Sequence, residues 1–236
     1  MSIRLSKASK MPCASWSLQA QETCPGSYTA DGSLVDACQG CYASEGMYRM
    51  PNVKSVRANN RIDWRRIDWE NDMVATIKPK SLFRWFDSGD VYHPHLALKI
   101  FDVMLRTPNT QHWLPTRTYK MPRILPILLY MNKLANVVVR FSSDAIDGTN
   151  TTPDGTEHSS IIDRSDRIDM RRKGVCTAYQ RDGKCGKCRQ CWDKSIPVIT
   201  YPQHGQKMAR QEQQKEKVKK VHELYSLSSL KKRIET

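Results

Sequence analysis

The chain has 236 residues, of which 39% are apolar and 26% charged, and its formal net charge is +14. That is enough for one large domain, or a domain with a tail, built on a modest core, and it lies outside the disordered range of composition. No stretch is long and apolar enough to span a membrane: the longest, Ile124 to Met131, is short and interrupted by Pro126.

In chain order, the first sixty or so residues are rich in Cys, Gly, Ser and Pro and show weak periodicity, which predicts a loop-rich, metal-organised entry segment. A tandem echo follows, Arg61-Ile62-Asp63-Trp64 and Arg66-Ile67-Asp68-Trp69. Two copies are too few for a solenoid and predict a short helix with an adjoining turn and buried tryptophans. Ser81 to Phe86 reads as a strand ending in Asp87-Ser88-Gly89-Asp90. His95 to Arg106 reads as an amphipathic helix with Leu96, Ile100, Val103 and Met104 on one face. Gln111 to Pro115 is the next strand, ending in Thr116-Arg117-Thr118, and Pro122 to Leu134 the next helix, with Pro122 in its first turn. Asn136 to Phe141 is a valine-rich strand ending in Ser142-Ser143-Asp144, and Ile196 to Tyr201 a further strand ending in Pro202-Gln203-His204-Gly205.

Strands alternating with helices predict an α/β fold with a parallel sheet of βαβ units. The units are too few for an eight-fold barrel, so the expectation is a partial or irregular (β/α) barrel, with an open doubly wound sheet as the alternative. In both, function sits at the carboxyl ends of the strands. Asp90, Arg117, Ser143 and His204 fall there and are the candidate rim residues. The expected organisation is one α/β domain over 1–205, followed by a basic helix over 206–236. From Lys207 to Thr236 that tail holds nine Lys or Arg and four Glu. It suits either a nucleic-acid backbone or a solvated helix packed on the domain through Val218, Val221 and Tyr225.

Residues 1–11 carry no apolar run of signal-peptide type, so the expected setting is cytosolic, where thiols stay reduced. Eight cysteines then point to metal binding rather than disulfides. Cys185, Cys188 and Cys191 share two successive CxxC spacings, with Cys176 upstream. Three thiolates on one tight loop with a distant fourth suit a [4Fe–4S] cluster better than zinc, which more often pairs two separate CxxC knuckles. Lys184, Lys187, Arg189 and Gly186 add positive charge and open backbone N–H groups. Cys13, Cys24, Cys38 and Cys41 can close a second site, cluster or Zn2+, or some can complete the first. Spacing leaves both open, and two sets of four are the expectation. The CxxxCxxC run of radical S-adenosylmethionine enzymes is absent, and a four-cysteine site leaves no iron open.

His93 and His95 flank Pro94, a His-x-His pair that suits either metal or a helix start. No nucleophile elbow, phosphate loop or GxGxxG fingerprint is present.

Taken in order, Thr23-Cys24-Pro25, Cys41-Tyr42-Ala43, Ser88-Gly89-Asp90, Thr116-Arg117-Thr118, Ser142-Ser143-Asp144, the Cys176 to Cys191 group and Tyr201 to Gly205 resemble the phage gene product 88 family over roughly residues 10–204. The resemblance implies a phage or mobile-element origin, a host-cytoplasmic setting and a barrel of radical-enzyme type without the usual cluster motif. The family pattern does not clearly require Cys13. The expected function is an iron–sulfur protein, redox or radical-type if it is an enzyme. The alternative is a zinc-stapled nucleic-acid-binding protein without catalysis.

Overall fold

The structure is a computed structural model that describes residues 2–7, 10–203 and 206–234. Six parallel strands form one sheet: β1 (Ala14–Trp16), β2 (Leu82–Trp85), β3 (Gln111–Thr116), β4 (Val137–Ser142), β5 (Ser159–Asp163) and β6 (Val198–Pro202). Their spatial order is their chain order, and the sheet does not close on itself. A doubly wound sheet needs a point where the order reverses, so that alternative is set aside. Among the described helices, α1 (Asp36–Gln39), α2 (Pro51–Asp63) and α3 (Trp69–Ile77) lie between β1 and β2. Then α4 (Pro94–Arg106) and α5 (Leu125–Lys133) make the next two crossovers, and α6 (Gln206–Ile234) follows β6.

Crossovers of one hand in a sequential sheet place their helices on one face. The core follows from this: Trp16, Phe83, Trp85, Leu114, Val137, Val139 and Phe141 point outward and pack on Met73, Ile77, Leu96, Ile100, Val103 and Leu128. The periodicity of α4 is as expected, with Leu96, Ile100, Val103 and Met104 buried. His112 is fully buried on this outer face. It accepts from Trp85 Nε1 at its Nδ1 (3.2 Å), and its Nε2 lies 2.9 Å from Thr107 Oγ1. Burial pushes its basicity down to about pH 4, against the Thr107 bond, which raises it. The unfolded chain therefore takes up this proton at higher pH than the native one. Stability should be complete above pH 6.5 and fall by about 3 kcal/mol as pH drops through 4. Urea melts of the parent and of His112→Phe across this range check it; equal slopes in both would remove His112 as the cause.

Two expectations change, and a third is met with a different helix arrangement. Pro122 sits in a turn before α5, and Pro126 occupies the first turn instead, because residues 121–124 form a tighter turn closed by Ile124 N to Met121 O (2.9 Å). Val218, Val221 and Tyr225 are exposed on α6 rather than buried against the domain, and α6 meets α1 through Lys215 and Asp36 (2.9 Å). The tandem echo is a helix end and a helix start: Arg61–Asp63 close α2, Trp64 caps it, and Trp69 opens α3, both tryptophans buried.

Candidate metal centres

In a parallel sheet, paired residues share a face. The register therefore lines the inner face with Ser15, Arg84, Trp113, Val138, Arg140, Ser142, Ser160 and Tyr201. No α-helix lies between β5 and β6; three short 3-10 turns and the CxxCxxC loop take its place, and the loop runs over this face. Trp192 donates to Phe83 O (3.0 Å) and meets the Trp113 ring edge-on at 5.1 Å. Cys176 N bonds Thr200 O (2.9 Å), which lays Cys176 beside β6, and Cys191 Sγ lies 3.3 Å from Tyr201 Oη. Cys185 N bonds Lys10 O (2.9 Å), bringing the loop against the segment that enters β1.

That last bond decides where Cys13 belongs. Cys13 immediately precedes β1, and its charge and that of Cys185 act on one another. The cysteines thus divide five and three, not four and four. Cys13, Cys176, Cys185, Cys188 and Cys191 share the inner face. Burial pushes Cys13 up to about 11 and Cys191 up to about 12, and raises Cys176 and Cys185, while Arg84 pulls Cys13, Cys185 and Cys191 back. No disulfide joins any of the eight.

Two cations stand among these thiols. Arg140 is fully buried and bonds five carbonyls of the loop: Gln190, Cys191, Asp193, Ile196 and Pro197, at 2.9–3.4 Å. Arg84 bonds Phe86 O (3.1 Å) and Met11 Sδ (2.9 Å) and lies over the Trp113 ring at 4.4 Å. Among the described residues neither has a carboxylate within ion-pair distance. Buried guanidinium groups ordinarily face carboxylates. Here Asp87 acts on Arg84, and Cys191 and Asp193 act on Arg140, from beyond ion-pair distance.

Cys24, Cys38 and Cys41 gather beyond the carboxyl ends of β1 and β2, where their charges act on one another. Ser27 N bonds Cys24 O and Val35 N bonds Ser27 O, each at 3.0 Å, which folds α1 back on Cys24. Cys41 N bonds Cys38 O (3.2 Å) in the following turn. Burial raises the Cys24 thiol, and the charges of Asp90, Cys38 and Cys41 raise it further. Among the described residues no three His, Cys, Asp or Glu side chains converge closely enough to hold a metal ion as they stand.

The rim candidates form a mutual network. The Asp90 carboxylate accepts from Val91 N (2.7 Å), Thr116 Oγ1 (2.7 Å) and Arg117 N (2.9 Å), tying the β2 turn to the β3 turn. Arg117 donates to Ser143 O (2.7 Å), and Ser143 Oγ donates to Thr149 O (2.7 Å) while accepting from Thr151 N (2.7 Å). Asp90, Arg117 and Ser143 thus hold the rim together; His204 lies outside the described residues. His93 caps α4, its Nδ1 accepting from His95 N (3.2 Å), and packs on Trp64.

Sequence reasoning did not single out Arg84, Arg140 or Arg57. An arginine inside a predicted strand was the available signal for the first two. Residues 2–218 match the family model Gene product 88. The chain belongs to the Gene product 88 family. No curated protein and no solved structure matches it. No described helix is long and apolar enough to cross a membrane.

Proposed function

We propose that this member of the Gene product 88 family is a phage-encoded iron–sulfur protein. Its inner-face cysteines, Cys176, Cys185, Cys188 and Cys191, with Cys13 beside them, would hold a [4Fe–4S] cluster inside a partial α/β barrel. The observation that carries this reading is the pair Arg84, half-buried, and Arg140, fully buried, cations on the cysteine-bearing face that make no ion pair among the described residues and whose charges lower the thiols of Cys13, Cys185 and Cys191. A cluster with four thiolate ligands is a net anion, and it meets that charge where four neutral thiols do not. The donor set fits as well, since thiolates are the soft ligands that iron–sulfur clusters take. When bound, such a cluster supplies one-electron transfer. The residues around it would tune that transfer: Arg84 and Arg140 by charge, Tyr201 by its hydrogen bond to Cys191, and Trp113 and Trp192 by excluding water.

Purified without oxygen, the protein should be brown, with iron and acid-labile sulfide in equal amounts. Stoichiometric zinc in a colourless protein without sulfide would favour the zinc-stapled, non-catalytic reading and end this one.

A further inference from the structure

His93 and His95, the pair that suits either metal or a helix start, border a cleft of their own. We infer that this cleft binds a phosphate monoester of a small molecule, with Arg65 and Arg123 supplying the charge and the two imidazoles further donors. The inference does not involve the inner-face cysteines and holds or fails without them.

The first support is position. His93 and His95 open α4 just after β2, and Arg123 precedes α5 just after β3. Both turns lie at the carboxyl edge of the sheet, where parallel α/β folds bind their ligands. Trp64, at the end of α2, is brought to the same edge: its indole N–H donates to Tyr92 Oη (3.1 Å), and its ring lies 5.5 Å from that of His93. Trp64, Arg65, His93, His95, Leu98 and Lys99 line a cleft of about 450 Å³, a size that takes a small organic molecule.

The second support is charge. Burial lowers the basicity of His93, and the charges of His95, Arg65 and Arg123 lower it further, with no carboxylate offsetting them. The acidic side chains of the neighbouring segment are taken up elsewhere. Asp63, Asp68 and Asp72 pair with Arg66 at 2.6–2.8 Å, and Glu70 pairs with Lys99 at 2.7 Å. Among the described residues neither Arg65 nor Arg123 makes an ion pair. A His-x-His pair set among uncompensated cations repels a metal ion and attracts an anion.

The third support is the set of donors. The Arg65 guanidinium lies 4.7 Å over the Trp64 ring and donates to Tyr92 Oη (3.4 Å), which fixes its plane. His93 Nδ1 accepts from His95 N (3.2 Å), so neutral His93 carries its proton on Nε2. The His95 ring meets that of His93 edge-on at 5.3 Å and makes no hydrogen bond among the described residues. A planar guanidinium and imidazole N–H groups match phosphate oxygens, and a monoester brings close to two negative charges to two unpaired arginines. Half-exposed Leu98 offers apolar surface to the organic part.

Phenyl phosphate is the probe. It is titrated into the purified full chain near neutral pH while the histidine ring protons are followed by nuclear magnetic resonance, with His93 and His95 assigned from His93→Gln and His95→Gln. Both resonances should move and fit one dissociation constant. Arg65→Met and Arg123→Met should each weaken binding about tenfold, the loss expected for one charge-assisted contact. Arg65→Lys should bind more tightly than Arg65→Met, which separates lost charge from a damaged surface. The proposal is overturned if phenyl phosphate leaves both resonances in place, if zinc chloride moves them and phenyl phosphate does not, or if both arginine-to-methionine variants bind as the parent does. A short oligonucleotide is the competing source of phosphate. If it moves these resonances at lower concentration than phenyl phosphate does, the cleft serves nucleic acid and the monoester assignment fails.

Discussion

Cys185→Ala should strip the inner-face site of its metal and lower the melting temperature by about 10 °C, since metal-binding energy is also folding energy and each kcal/mol is worth a few degrees in a chain of this length. Cys185 is the first of three thiols on one loop, and its backbone N–H carries the bond to Lys10 that joins the loop to the segment entering β1. Removing the thiol leaves that bond in place, so the loss reports on the metal and not on the tether. Cys13→Ala should lose less metal. Five thiols share this face and four suffice for a closed site, so Cys176 remains to complete the set with the loop. Iron analysis and thermal melting of the two variants beside the parent check both statements. Full metal content in Cys185→Ala would show that the loop is not a site. Equal losses in both would make Cys13 an obligatory ligand.

That distinction was only half visible in the sequence. The loop spacing at Cys185, Cys188 and Cys191 is local information, and it is legible because three thiols on seven residues have little freedom. The place of Cys13 is not local. It depends on β1, a strand of three residues, Ala14–Trp16, too short to register as alternation, and on a backbone bond to a residue far along the chain. Counting suggested two sets of four, whereas the topology sends Cys13 to the amino end of β1 and leaves Cys24, Cys38 and Cys41 at its carboxyl end.

The same contrast runs through the fold. Helix α4 was readable because its buried face is aliphatic, while α2 was not. The buried positions of α2 include Arg57, Asn60 and Asp63, and Asn60 donates to Arg4 O (3.1 Å) and Ser17 O (3.0 Å) in place of apolar packing. A helix that docks through polar side chains carries no hydrophobic period. Strand β5, Ser159–Asp163, was missed for a related reason. It begins with two serines, and Ser160 lies beside Ser142 of β4 (Oγ to Oγ 3.1 Å) on the polar inner face. The rim residues Asp90, Arg117 and Ser143 were legible as a group because strand ends in such sheets converge. What the sequence could not convey is that their hydrogen bonds are turned on one another.

The second large effect belongs to Arg140. Arg140→Met should cost about 3 kcal/mol, because it leaves one buried and three part-buried carbonyls of the loop without a donor. A methionine of similar length fills the space, so the cost comes from lost hydrogen bonds and charge rather than from a cavity. Stability alone does not separate two roles for this residue, a tether for the loop or a counter-charge for a cluster. A tether acts through geometry and a counter-charge through potential, so the reduction potential of the iron-loaded protein divides them. Removing a buried positive charge beside an anionic cluster favours its oxidised form and should lower the potential. Arg140→Lys keeps the charge but lacks the five-donor fork that spans the loop carbonyls. It should therefore melt below the parent while keeping a potential near the parent value. If Arg140→Met and Arg140→Lys are destabilised alike and neither shifts the potential, Arg140 is a tether only, and the charge argument for the inner-face cluster loses its main support.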